Sequence, residues 1–334
     1  MRALLTVIVI AALAWSIYWA VGSTGANTAF KTWFEDRRAE GWLADVSSIE
    51  TKGFPNRFDT TFSDVSLADP ETGLAWEAPF FQIFALSYKP NHVIAVWPNV
   101  QRIATPLAKY DLASEDMRAS LVTEAATTLP LDRLTLTAEA LSILEEGARE
   151  PARVKALTLA VERQPVAENS YRLGFKADGF SPALDWRVQI DPNGTLPDTL
   201  DALSADLTVD FDAPWDINAI QTARPQPRKI NLRLAEARWG QLELQAAGEV
   251  TVDTAGIPEG EITIKARNWR DILKLAVETG AIPEGFGQSL EDGLSLMSQL
   301  AGNPKTLDIP LGLRGGRVLL GPVPIGPAPR LVLR

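Results

Sequence analysis

The chain has 334 residues, no cysteine, a single histidine and a formal net charge of −10. Without cysteine there can be no structural disulfide, thiolate metal site or cysteine nucleophile, and His92 alone cannot make a His-pair zinc site. The acidic balance argues against nucleic acid as a partner, because neutralising phosphates needs a basic surface, and against broad adhesion to anionic lipid.

Residues 3–21 (ALLTVIVIAALAWSIYWAV) are apolar except for Thr6 and Ser16. At ~1.5 Å per residue this run approaches the ~30 Å hydrocarbon core of a bilayer. A removable signal peptide competes with a retained anchor, since Thr24-Gly25-Ala26 is a passable cleavage site. The run is longer than the usual h-region of ~7–15 residues, and Trp15, Tyr18 and Trp19 stand where an interfacial aromatic belt would hold a retained helix, so the anchor is favoured. Arg2 makes the near side positive, whereas Lys31, Glu35, Asp36, Arg37, Arg38 and Glu40 cancel on the far side. The expected topology is single-pass in the inner (cytoplasmic) membrane through residues 3–21, with the rest of the chain in the periplasm.

Beyond the anchor, Ala29, Phe30, Trp33, Phe34 and Arg37 recur at helical spacing, predicting that the anchor continues as, or kinks into, a short amphipathic helix ending near Gly41. From residue 46 to about 265 the period becomes two. Met117, Ala119, Leu121 and Thr123 alternate with polar residues, as do Leu134, Leu136 and Ala138; Leu157, Leu159 and Val161; and Tyr171, Leu173, Phe175 and Ala177. The alternation runs on through Trp186, Val188 and Ile190; Leu203, Leu207, Val209 and Phe211; Ile230, Leu232 and Leu234; and Leu242, Leu244, Val250 and Val252. Turns are expected at Asp191-Pro192-Asn193-Gly194, Thr254-Ala255-Gly256 and Arg314-Gly315-Gly316. DPNGTLP followed by LSADLTVDF resembles VDTAGIPEG followed by EITIKARN, which suggests a repeated hairpin. Two helices follow, at 269–279 with Gly280 as C-cap, and at 285–300 with Phe286, Leu290, Leu294, Met297 and Leu300 on one face. Leu307, Ile309, Leu311 and Leu313 restore a strand, and the tail carries Pro322, Pro324, Pro327 and Pro329, which fits an edge or irregular segment.

The expected fold is therefore mainly β: an extended or two-lobed, curved antiparallel sheet, open and half-barrel-like, with a few helices and one N-terminal transmembrane helix. The expected organisation is 1–22 anchor, 23–45 helical stalk and 46–334 β-rich domain, with a break near residues 180–200 if it has two lobes.

Catalytic motifs are absent: no G-x-S-x-G, H-E-x-x-H, Walker loop or G-x-G-x-x-G occurs. His92 sits between a turn signal and an apolar strand. Asp206, Asp210, Asp212 and Asp216 could supply calcium oxygens but lack the glycine and closing glutamate of an EF-hand loop. Glu124, Glu145 and Glu146 read as surface carboxylates. No cofactor, metal or catalytic residue is expected. The segment WEAPFFQIFAL is apolar at nearly every position, so its strand is buried on both sides or faces something greasy. This singles out Trp76, Phe80, Phe81, Ile83, Phe84 and Trp97 as lining a candidate apolar groove.

Three passages carry a resemblance: SIETKGFPNRFDTTFSDVSLADP, with Gly53, Pro55 and Arg57; LQAAGEVTVDTAGIPEGEITIKARNWRDILKLAVETGAI; and LDIPLGLRGGRVLLGPVPIGPAPRL, with Gly321 and Pro322. Together they resemble a bacterial, mostly alphaproteobacterial, family of membrane-anchored envelope proteins, Domain of Unknown Function 2125. More distantly, G-x-V-x-V-D-x-x-G-x-P-x-G and G-x-V-x-L-G-P-x-P are similar to C-terminal elements of AsmA-type inner-membrane proteins, whose likeness implies outer-membrane lipid homeostasis. The resemblance supplies no catalytic residues, and Gly53, Pro55 and Gly321 are explained as backbone positions.

The expected function is a non-enzymatic envelope protein that binds or conveys lipid or another hydrophobic ligand in an apolar groove of a curved sheet. The alternative is an inner-membrane scaffold that binds a protein partner by strand addition at the edge marked by the proline-rich tail. A third reading, an exported hydrolase using His92 or the aspartates, has the least support.

Overall fold

The computed structural model describes residues 1–165, 167, 169–192, 194–280, 282, 284–300 and 305–333, with the backbone alone at 220, 221, 284, 286, 297 and 300. Half of the chain is strand, every described pairing is antiparallel, and the longest helix is the apolar one at the N-terminus. The chain divides into two compact units, Met1–Ala125 with Leu134–Gly147, and Ala126–Arg133 with Ala148–Arg334. Residues 180–200 lie wholly inside the second unit.

In the first unit, α1 (Arg2–Ala39) runs unbroken from the apolar segment into the amphipathic one. It ends in a Schellman turn, with Trp42 N–H bonding Arg37 O and Gly41 N–H bonding Arg38 O, each at 3.0 Å. Gly41 supplies the left-handed φ of +93° that this turn requires. The strands are β1 (Leu43–Asp45), β2 (Ser48–Lys52), β3 (Arg57–Asp69), β4 (Leu74–Leu86), β5 (Lys89–Val96), β6 (Val100–Ala104), β7 (Lys109–Ala113), β8 (Asp116–Thr123) and β9 (Leu131–Glu145). β3 pairs with β1, β2 and β4; β4 pairs with β5 and β6; β5 pairs with β8; and β7 pairs with β6 and β9. Phe34, Ala44, Phe62 and Val65 form the core where the amphipathic half of α1 lies on β3. Burying Phe34 and Phe62 contributes about 2–3 kcal/mol each.

In the second unit nine strands follow one another as consecutive neighbours: β10 (Ala152–Arg163), β11 (Ser170–Asp178), β12 (Ala202–Phe211), β13 (Pro227–Trp239), β14 (Leu242–Val252), β15 (Pro258–Arg267), β16 (Thr306–Arg314), β17 (Arg317–Leu320) and β18 (Val323–Pro327). Its helices are α2 (Leu184–Ile190), α3 (Ile217–Gln221), α4 (Trp269–Glu278) and α5 (Glu284–Leu300). Trp269, Leu273 and Leu294 from the last two pack on Ala266 and Leu307 of β15 and β16. The side chains of Phe286, Met297 and Leu300, expected on the same apolar face as Leu294, lie outside the described residues, as does Asn193 of the expected turn.

Two strand expectations are corrected. Trp186, Val188 and Ile190 lie on helix α2, where Ile190 is buried, Trp186 stacks on Trp239 at 6.0 Å, and Asp185 in the first turn bonds Arg149. Seven residues with apolar groups at 184, 186, 188 and 190 satisfy both the strand period and an i, i+4 helical pair, so the pattern could not decide. In β13 the register shifts between Leu232 and Ala235, which turns Leu234 outward (40% exposed) and puts Ala235 on the inner face in its place. The suggested hairpin repeat also fails: residues 253–257 join two paired strands, whereas 191–201 lead from a helix into β12.

The β14–β15 hairpin explains its glycines. Gly248 faces Ile262 and Gly260 faces Val250, and a Cβ at either glycine would lie 2.2 Å from Glu261 O or 2.3 Å from Glu249 O. Glycine inside a strand is tolerated where another backbone approaches this closely. At the turn, the Asp253 carboxylate accepts from Ala255 N–H and Ile257 N–H, and Gly256 (φ +78°) accepts Leu331 N–H through its carbonyl. Gly248→Ala is therefore expected to destabilise the second unit by about 2 kcal/mol or more, the cost of overpacking against backbone. Gly174→Ala, whose Cβ would meet only Ala160 Cβ at 3.9 Å, is expected to be near neutral. Thermal or urea unfolding of the two variants checks this, and equal losses would contradict it.

Candidate functional site

The six residues expected to line a groove fall on two faces. Trp76, Phe81 and Ile83 pack into the core beneath α1, and Phe81 also meets Trp97 at 5.2 Å. Phe80 and Phe84 alternate with Phe81 and Ile83 along β4, and Phe84 carries the Arg57 guanidinium 5.5 Å from its ring centre. The apolar character of both sides comes from a change of parity. Between the pairs Ser63/Phe80 and Val65/Ala78, Asp64 adopts φ +48° and stands opposite Pro79, which has no N–H to give. Past this kink Val65 and Trp76 take over the face that Phe62 and Phe81 held. The indole of Trp76 donates to Gln101 Oε1 at 2.7 Å, so its polar end is satisfied.

Gly53, Pro55 and Arg57 form the β2–β3 loop, which clasps α1. Trp15 Nε1 donates to Pro55 O (2.8 Å), Trp19 Nε1 to Arg57 O (2.7 Å) and the Tyr18 hydroxyl to Ser87 O (2.5 Å). Asn27 Nδ2 donates to Ile49 O at 2.7 Å, and Gly22 leaves room for Phe58, whose Cζ would sit 2.6 Å from a Cβ. Gly53 has φ +108° and closes the loop through Arg57 N–H to Gly53 O. The belt aromatics of the sequence are thus hydrogen-bonded to loops of the first unit. Gly321 (φ +58°) and Pro322 make the two-residue turn between Leu320 and Val323.

A larger apolar surface lies in the second unit. Val161 stands opposite Leu173, Leu173 opposite Leu207, and Leu207 opposite Leu232. The row continues through Gly248, Ile262, Leu311 and Leu320 to Val323. A parallel row runs Leu159, Phe175, Ala205, Ala235, Ala246, Ile264, Ile309. At ~4.8 Å per strand the nine-strand row is roughly 38 Å wide. Its members from Val161 to Leu320 are half-buried and Val323 is exposed, and among the described residues the cluster closed by α4 and α5 takes in Ile309 and Leu320 but not Leu173, Leu207, Leu232 or Ile262. Neighbours of opposite parity include Arg172, Asp206, Glu261, Thr263 and Lys265, with Leu234 and Leu319 as apolar exceptions. The stripes were legible one strand at a time; their alignment depends on registers set by bulges and turns.

The polar candidates are committed elsewhere. Asp206 bonds Arg172 (2.8 Å) and Arg233; Asp212 bonds Arg228 (2.7 Å) and Gln226 N–H; Asp216 caps α3; and Asp210 stands opposite Lys229. No group of three or more acidic or histidine side chains among the described residues could hold a metal. His92 Nε2 makes a cross-strand hydrogen bond with Ser120 Oγ at 2.9 Å, between β5 and β8. Glu146 lies 3.8 Å from Lys109 and Glu145 faces Tyr110 at the end of β9, while Glu124 follows β8.

A family model described as "Uncharacterized protein conserved in bacteria (DUF2125)" matches residues 19–329. The chain belongs to this family. No curated protein and no solved structure matches the DUF2125 chain, and the comparisons do not support the expected likeness to AsmA-type proteins.

The Asp206 cluster gives a pH prediction. Hydrogen bonds from Arg172 and then Arg233 hold its carboxyl at about 2, below the ordinary 3.8. A depressed folded pKa contributes stability that is complete above the unfolded value and disappears as pH falls from about 5 through 2. The carboxylate is about a third exposed, and solvent screening limits the effect to about 1 kcal/mol. Asp206→Asn should lower stability at pH 7 by that amount and by only a small fraction of it at pH 2, where the folded carboxylate is itself half protonated, as read by urea unfolding at the two values.

Proposed function

We propose that this chain is a non-enzymatic protein of the bacterial inner membrane, anchored by α1 with its β-rich units in the periplasm, and that it binds or conveys lipid through the apolar face of its second unit. The observation that carries the reading is the in-register row from Val161 to Val323. The row crosses nine strands, and the cluster closed by α4 and α5 takes in Leu320 but leaves Leu173, Leu207, Leu232 and Ile262 half-buried outside it, a run of apolar side chains that an acyl chain matches in chemistry. Small residues along the second row, Ala205, Ala235 and Ala246, leave depth for a chain to lie against the sheet. The structural commitments of His92 and the four aspartates support the non-enzymatic part.

For the anchor, the support is a single helix of 38 residues with mean hydropathy 2.2 in its most apolar window. Retention of the segment is supported by the bonds of Trp15, Tyr18, Trp19 and Asn27 to the first unit, since cleavage after Ala26 would strip most of these partners from their loops. The scaffold alternative keeps one specific observation: Val323 and Ile325 of β18 are exposed apolar residues on the last strand of the ladder.

The full chain, purified from its host envelope in mild detergent, is expected to carry extractable phospholipid or glycolipid in native mass spectrometry above the level of a control membrane protein. Leu207→Glu with Ile262→Lys should reduce that load several-fold while circular dichroism stays unchanged. A load equal to the control, with a protein partner retained, would replace the lipid reading by the scaffold one.

A further inference from the structure

We infer that the β2–β3 loop and the β4–β5 turn form a foot that sits in the headgroup and acyl boundary of a phospholipid bilayer, beside the point where α1 leaves it. This inference rests on the reading of α1 as a membrane anchor. Its basis is a mismatch of lengths. The apolar run 3–21 is ~28 Å long and suits a ~30 Å hydrocarbon core only if used to its end, at Val21. The first unit, however, takes hold of the helix at Trp15, six residues or ~9 Å earlier. Side chains on a helix tilt toward its N-terminus, so the carbonyls of Pro55, Arg57 and Ser87 that receive Trp15, Trp19 and Tyr18 lie at or below the level of those residues. The loops are therefore held at the depth of the last turns of the apolar run.

The surface they present suits that depth. Phe54 is 58% exposed at the tip of one loop and Tyr88 63% exposed at the tip of the other. Trp19 meets the edge of Phe54 at 5.5 Å, which makes the loop continuous with the apolar surface of the helix. Lys52 and Lys89 flank the two tips, both exposed, Lys52 with Glu50 at 2.6 Å. An apolar ring and a phenol with lysines beside them match the boundary, where rings meet acyl chains and ammonium groups meet phosphate. The indole and phenol donors, which hydrocarbon could not satisfy, already have protein acceptors.

The absence of cysteine makes the test direct. Single-cysteine variants Phe54→Cys, Tyr88→Cys, Ile8→Cys and Leu107→Cys of the full chain are labelled with an environment-sensitive fluorophore. They are reconstituted in phosphatidylethanolamine and phosphatidylglycerol vesicles and quenched with lipids carrying nitroxides at shallow or deep positions, or with a water-soluble nitroxide. Position 8 should be quenched by the deep lipid nitroxide, positions 54 and 88 at least threefold better by the shallow lipid nitroxide than by the soluble one, and position 107, on an exposed turn of the same unit, by the soluble one alone. If position 8 is deep but 54 and 88 behave as 107 does, the foot is overturned and the anchor stands. If position 8 is aqueous, the anchor fails and the foot with it. Lys52→Cys and Lys89→Cys, at exposed sites that carry no packing, give the same readout should the aromatic variants misfold.

Discussion

The register between β14 and β15 is the constraint on which the apolar face of the second unit depends. Side chains alternate along a strand, so a slip of one residue would exchange Ile262 and Ile264 for Glu261, Thr263 and Lys265 and break every row that crosses the sheet. Gly248 and Gly260 fix that register by allowing each backbone to come where a side chain would otherwise be. Asp253 holds the turn between them, and the tail is tied to it through Leu331 and, further along, through Gln226 to Leu333. A motif that reads as a string of glycines, valines and prolines is in physical terms a register lock.

The first unit solves a different problem. Its long helix passes from an apolar segment into an amphipathic one, and the indole and phenol donors of Trp15, Trp19 and Tyr18 in the apolar segment are satisfied by loop carbonyls. Further along, Phe30 and Phe34 of the same helix cover β3, and the parity change at Asp64 and Pro79 keeps apolar residues beneath the helix on both sides of the kink. The apolar segment and the folded unit are one continuous piece of structure, which ties the position of the sheet to the position of the helix.

How much of this could be read from the sequence follows from the range of the interactions. The strands with clear alternation, such as those around Tyr171, Leu203 and Leu307, were legible because a local pattern sets which face is apolar. The helix around Trp186 was not, because its window is too short to separate two periods. Leu234 was misplaced because a bulge shifts parity without leaving a signature of its own. The greasy run from Trp76 was recognisable as unusual, yet its cause, a kink shared with a residue fifteen positions earlier, is a matter of pairing. The same holds for the apolar rows: each strand contributes two or three recognisable residues, and only the registers bring Leu173, Leu232 and Leu311 into line. Trp15, Tyr18 and Trp19 stood out for their chemistry, while their protein acceptors lie 38 to 69 residues away.

The central claim is that ligand contacts one face of the second unit and not the other, and site-specific photocrosslinking in living cells tests it most directly. A photoreactive residue at Ile262 is expected to yield lipid adducts by mass spectrometry, whereas the same residue at Thr263, its neighbour on the opposite face, is expected to yield none. Equal lipid adducts at both positions, or protein adducts alone at Ile262, would contradict the account.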